Sequence, residues 1–193
     1  MTIGEIKLEA MNLMFARSES LETLEQDENY RDYMINLTGA INRSFSSIEE
    51  KRVLPTKAKA LTNGVVRGTW LRFEYNEFDI DRIVFESDTE YRGSVSYMVE
   101  GDNLVVENKT GTYTLIYRPA IPRITSITLN STELDIPDSI ASAIPYYIKG
   151  DLYRDDEPDE ASEARAYYEA QMAQIQKKSE GAQHSVEARY SIC

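Results

Sequence analysis

Residues 27–52 constrain the fold more than any other stretch of the chain. Tyr30, Tyr33, Met34, Leu37, Ile41, Phe45 and Ile48 recur at three- and four-residue steps, a single apolar stripe on a helical period. Between them stand Arg31, Asp32, Asn36, Asn42, Arg43, Glu49, Glu50 and Lys51, which the same period assigns to a solvent face. Asp27 is placed to cap the start, and Pro55 stops the helix soon after Arg52. About 25 residues at 1.5 Å each make a rod of roughly 37 Å, longer than an ordinary globular helix. Such a stripe needs covering along its whole length, so the other helices are expected to pack against it.

Those helices flank it in sequence. Thr2 and Glu5 have the spacing of a capping box, and Ile3, Ile6, Ala10, Leu13 and Met14 form a stripe over a helix at 3–16. An acidic loop, 17–26, joins it to the long helix. Near the other end, Ile140, Ile144, Ile148 and Leu152 share one face, with Pro145 expected to kink or restart the helix. The acidic run 155–160 opens a further helix. There Pro158 suits a first-turn position, and Ala161, Ala164, Tyr168, Met172 and Ile175 carry the stripe. From Gln176 no period is sustained, which predicts an extended tail.

Between these helical parts the pattern changes to period two. Leu71, Phe73 and Tyr75 alternate with Trp70, Arg72 and Glu74, and Tyr113, Leu115 and Tyr117 alternate with Thr112, Thr114 and Ile116. Turn sequences at 101–103 and 108–111 predict hairpins, and the lack of an intervening helix predicts an antiparallel sheet. The expected fold class is therefore α+β. A helical bundle body of about four helices (1–57 and 135–177) carries an inserted antiparallel β module at 64–134, a small sandwich or open barrel of five or six strands. A C-terminal arm follows at 178–193.

Composition narrows the function. A net charge of −12 opposes binding to nucleic-acid phosphates, which requires clustered Lys and Arg. No run of 18 apolar residues is present, so no membrane span is expected, and the first residues lack the basic and apolar regions of a signal peptide, so synthesis and folding in a cytoplasm are expected. The one cysteine, Cys193, excludes an internal disulfide or a thiolate metal cluster within the chain. Asp79 and Asp81 could share a cation, but no calcium-loop spacing follows, and a polar turn entering a strand is the simpler reading. Carboxylates at 155–160 are explained by the helix start they occupy. His184, the only histidine, sits in the polar tail with Cys193 and has no scaffold to orient it as a base. The thirteen tyrosines and Trp70 could stack on sugars or bases, but most fall at core or interface positions. The glycines form no phosphate loop. No catalytic residue, metal ligand or cofactor site is expected.

Two segments resemble a known family. YRDYMINLTGAINRSFSSIEEKRVLP is similar to the long second helix of tailed-phage head–tail connector (adaptor) proteins. IPDSIASAIPYYIKGDLYRDDEPDEASEARAYYEAQM resembles the C-terminal helix pair of the same family. The resemblance implies a structural virion protein in the neck. It would form a ring with itself, dodecameric in the virion, dock on the portal protein, extend the DNA channel without specific DNA binding, and carry the next tail protein. Compact family members are almost entirely helical, so the β module is a departure, expected on the ring's exterior or lower rim. The C-terminal arm commonly reaches the portal, which makes His184, Val186, Tyr190, Ile192 and Cys193 the expected portal contacts. The competing expectation is a binding module whose β insertion recognises carbohydrate or a tail protein through Trp70, Tyr91 and Tyr97. A hydrolase ranks last, because no nucleophile–base pair can be named.

Overall fold

The computed structural model describes residues 1–15, 20, 21, 28–76, 79–87 and 92–190, with backbone alone at 29 and 178–190. The chain divides into two compact units, a helical one formed by Met1–Leu54 with Ile121–Cys193 and a β unit formed by Pro55–Ala120.

The helical unit contains α1 (Ile3–Phe15), α2 (Arg31–Glu50), a one-turn α3 (Asp138–Ala141), α4 (Ile144–Leu152) and α5 (Pro158–Tyr190). The capping box closes in both directions. The Thr2 N–H donates to Glu5 Oε2 at 2.7 Å, and the Glu5 N–H to Thr2 Oγ1 at 3.2 Å. Asp27 lies outside the described residues; a 3₁₀ turn at Glu28–Tyr30 leads into α2. On α2, Leu37, Ile41, Phe45 and Ile48 are buried together with Tyr30, while Tyr33 and Met34 are partly covered. Their partners are Ile3, Ile6 and Met11 of α1, Ile144 and Ile148 of α4, and Tyr168 and Met172 of α5. Pro145 sits in the first turn of α4, where a missing N–H costs no helical hydrogen bond. Gly150 lets α4 and α5 approach closely, since a Cβ there would lie 2.6 Å from Arg165 Cγ and 3.0 Å from the Ala161 carbonyl oxygen.

The chain re-enters this unit at Ile121, and α2 holds it by side chains that the helical period had assigned to solvent. Asn42 Nδ2 donates to the Ile124 carbonyl, and the Ile124 N–H returns a bond to Asn42 Oδ1, both at 2.9 Å. Glu49 accepts from the Ile121 N–H at 2.8 Å and from Arg123 at 2.5 Å. Ile121 and Ile124 are thereby buried in the helical core. A segment without helix or strand must find partners for its buried backbone groups, and α2 supplies them.

The β unit has eight strands: β1 (Lys57–Leu61), β2 (Val65–Arg67), β3 (Trp70–Glu74), β4 (Asp79–Ser87), β5 (Arg92–Val95), β6 (Tyr97–Glu100), β7 (Asn103–Glu107) and β8 (Gly111–Arg118). They form two four-stranded sheets, ordered β1-β8-β4-β5 and β2-β3-β7-β6, with every pairing antiparallel. Phe73, Leu104 and Val106 of one sheet pack on Ile83, Phe85, Tyr113 and Leu115 of the other. The 101–103 turn joins β6 to its neighbour β7, but 108–111 crosses from one sheet to the other. Tyr113 stabilises that crossing, its hydroxyl donating to the Glu107 carbonyl at 2.6 Å and accepting from the Lys109 N–H at 3.0 Å.

The expected architecture is corrected in three respects. The β part is no minor insertion of five or six strands in a helical body: the fold is α+β with two antiparallel sheets of four strands each. The alternation missed β1, because Lys57–Leu61 alternates lysine with alanine and is exposed over most of its length. The β unit also spans 55–120 rather than 64–134, since 121–134 is bound to α2 and α1. Finally, the extended tail expected from 178 is helix as far as Tyr190. Its Gln, Lys, Glu, Ala and Arg residues favour helix by intrinsic propensity without leaving an apolar period to detect.

Candidate functional site

The helical unit contains a groove where α1, the residues just before α4, and α5 meet. α1 contributes Glu9, Asn12 and Leu13, the α3–α4 junction Ser142 and Ala143, α4 Tyr146, and α5 Tyr167 and Gln171. The cavity they enclose has a volume of about 460 Å³. Helical spacing accounts for the alignment, since Glu9 and Asn12 are three residues apart on α1, and Tyr167 and Gln171 four apart on α5. A second hollow of about 200 Å³ shares Leu13, Tyr146 and Tyr167 and continues toward Lys149, Glu160 and Glu163.

Two features distinguish the groove from an ordinary surface crevice. Tyr146 and Tyr167 are nearly stacked, with ring centroids 4.0 Å apart and an interplanar angle of 31°. Asn12 Oδ1 is buried and accepts no hydrogen bond from the described residues, a costly state for an amide oxygen. The charge balance in the groove is negative. Partial desolvation, assisted by Glu5, raises the Glu9 carboxyl above its usual range. Burial raises the Tyr146 hydroxyl, and the Tyr167 hydroxyl and the Glu9 carboxylate add to the effect. Lys149 is committed elsewhere, 2.6 Å from Glu160 and 3.1 Å from the Leu13 carbonyl.

The β unit has a hollow of about 540 Å³ lined by Thr69, Trp70, Ser94, Val95, Ser96, Glu107 and Lys109. Cross-strand register places Val65, Trp70, Arg72, Val105 and Met98 on one face of the β2-β3-β7-β6 sheet. Of these, Val65, Trp70 and Met98 are exposed. Tyr97 faces the opposite way, into the core between the sheets, and Tyr91 lies outside the described residues.

The remaining candidates resolve individually. Asp79 and Asp81 both lie against Arg118, whose Nη1 is 3.6 and 3.2 Å from them. A bulge between Ile80 and Arg82 removes Asp81 from the strand register. Among the described residues, no group of three or more His, Cys, Asp or Glu could hold a metal ion. In the acidic run, Asp156 accepts a 2.8 Å hydrogen bond from Tyr33 and Asp155 pairs with Arg154. Desolvation first, then the Asp156 bond, pushes the Tyr33 hydroxyl up to about 12. His184, Val186 and Tyr190 lie on the last turns of α5, while Ile192 and Cys193 are outside the described residues. Among the described residues, no helix is long and apolar enough to cross a membrane.

The groove was not visible in the sequence. Tyr146 and Tyr167 are 21 positions apart and carried no shared motif, and Glu9 and Asn12 read as polar positions on an amphipathic helix. Both tyrosines belong to YY pairs, at 146–147 and 167–168, of which Tyr168 is buried, Tyr167 exposed, and Tyr146 and Tyr147 both partly buried. No protein-family model matches this chain, and no curated protein matches it in sequence.

Proposed function

We propose that this protein is a structural component of a tailed-phage virion, a head–tail connector that forms a ring with itself in the neck. In this reading it docks on the portal protein, extends the DNA channel and offers a platform to the next tail protein. The observation that supports it best is the length of α5. Among the described side chains the last buried one on that helix is Met172, with Ile175 partly covered, and the helix runs on to Tyr190. At 1.5 Å per residue the continuation is roughly 22 Å, enough to reach a partner surface. His184, Val186 and Tyr190 lie on that continuation. The net charge of −12 fits a channel past which DNA slides, because like charge suppresses phosphate binding.

Light scattering of the protein alone and after mixing with the portal protein encoded nearby tests the reading. A stoichiometric ring on the portal is the expected result, and loss of docking on deleting 178–193 assigns the contact to the end of α5. A well-folded sample that never associates with the portal overturns it.

A second reading is supported by the exposed Val65, Trp70 and Met98 on one sheet face. There the β unit is a binding module for carbohydrate or another tail protein. Full-length Trp70→Ala that still joins the portal ring but no longer retains the glycan or tail protein would favour it.

A further inference from the structure

Three tyrosines of the helical unit have a cation over the ring. The Arg165 guanidinium lies 5.0 Å from the Tyr147 centroid, Lys149 Nζ 5.5 Å from that of Tyr153, and Lys51 Nζ 6.0 Å from that of Tyr168. In the first case a carboxylate completes the arrangement, Asp151 lying 3.5 Å from Arg165. Tyr146 and Tyr167, one position earlier on the same two helices, line a groove with a carboxylate of their own, Glu9. Among the described residues, no cation sits over either ring.

We propose that this groove seats the side chain of an arginine presented by a partner protein. The lining calls for a cation: Glu9 brings an exposed carboxylate beside the Tyr146–Tyr167 pair. A guanidinium carries five N–H donors and no acceptor, so it can pair with the Glu9 carboxylate through two of them. It is also planar, and stacks on an aromatic face as an ammonium does not. A lysine would answer the charge and can lie over a ring, as Lys149 does over Tyr153, but it cannot stack flat on one. An anion would meet the Glu9 carboxylate, and an apolar side chain would leave that carboxylate without a partner. The cavity of about 460 Å³ has room for a guanidinium with its stem, and the adjoining hollow leads away past Leu13. The source is a basic partner, because the chain itself carries a net charge of −12.

The upward displacement of the Glu9 carboxyl supports the assignment from another direction. Its ionised form is disfavoured in the unliganded protein and would be relieved by a neighbouring positive charge. The proposal goes beyond the connector reading and does not depend on it, since arginine capture and portal docking are measured separately.

The probe is capped arginine, N-acetyl-arginine amide, titrated into the full-length protein while the ring resonances of Tyr146 and Tyr167 and the Asn12 side-chain amide are followed by NMR. The expected result is a saturable shift at all three residues, weaker with capped lysine and absent with capped citrulline, which has a similar shape without the charge. Glu9→Gln should fold as well as the parent, because Glu9 is exposed on α1 and the substitution keeps its size. It should lose affinity about tenfold, the loss expected for one charge-assisted hydrogen bond. Tyr167→Ala, at a half-exposed position, provides the second variant and should remove the stacking contribution. Shifts that do not saturate, citrulline binding equal to arginine, or full affinity in a folded Glu9→Gln protein would each overturn the proposal. Lysine binding as tight as arginine would overturn the guanidinium assignment.

Discussion

The helical unit and the β unit solve the same problem, pairing buried backbone groups, by different means. In the β unit the backbone does most of this through its ladders, and the chain is continuous from Pro55 to Ala120. The helical unit is assembled from two separated stretches, and the seam between them is held largely by side chains. A few backbone bonds add to it, such as those from the Ile3 and Gly4 N–H groups to the Thr132 and Asn130 carbonyls. Asn42 and Glu49 bond the backbone of the returning segment, Tyr153 donates to the Met14 carbonyl at 2.5 Å, and Tyr168 donates to Ser47 Oγ at 3.0 Å. Helices satisfy their own backbones, so nothing in them specifies how distant segments dock, and a few polar side chains must supply that register. A sheet carries its register in the ladder.

The sharpest way to break this comparison is to empty the helical core. Phe45 is fully buried between α2 and its partners, and Phe45→Ala should cost about 3–5 kcal/mol. Chemical denaturation followed by tryptophan fluorescence, which reports the β unit through Trp70, and by far-ultraviolet circular dichroism should then give separated transitions. Coincident transitions would mean that the two units unfold as one.

The seam comes next. Asn42→Ala leaves the Ile124 N–H and carbonyl without their partner and should cost about 2 kcal/mol. Hydrogen exchange should show the loss first at Ile121 and Ile124, with β-unit amides unchanged. Exchange that rises equally throughout would deny the seam its special role.

Alkaline pH should separate the units through their phenols. Burial pushes the Tyr168 hydroxyl up to about 12 from an ordinary 10.0, with Glu169 adding to the shift and the Ser47 hydrogen bond opposing it, and Tyr33 also reaches about 12. A folded pKa above the unfolded one means that the unfolded chain releases its proton first. The stability contribution is therefore complete below pH 10 and declines as pH rises toward 12. Melting temperature measured against pH should fall over that interval, and Tyr168→Phe should flatten the fall.

The smallest effect belongs to the β unit. Tyr113→Phe keeps the ring between Phe73 and Phe85 but removes the hydroxyl that ties 107 to 109, and should cost about 1 kcal/mol. A larger loss, seen as a lowered denaturation midpoint for Trp70 fluorescence, would show that the β unit also depends on side-chain ties.

The sequence by itself determined the helices around residues 3–15 and 31–50, the restart at Pro145 and the helix beginning at Pro158. In each, an apolar period or a cap acts over a few neighbouring residues. It also determined that strands occupy the middle of the chain, because alternation is local too. Only the tertiary structure decided that there are eight strands in two sheets, since β1 alternates lysine with alanine, β5 has one apolar residue, and both are strands because neighbours pair with them. Only the tertiary structure turned Asn42 and Glu49 from solvent-face residues into the seam, and brought Glu9 and Asn12 against Tyr146 and Tyr167. Those contacts join residues more than 70 positions apart, and no local pattern encodes a hydrogen bond whose partner is supplied by a distant segment.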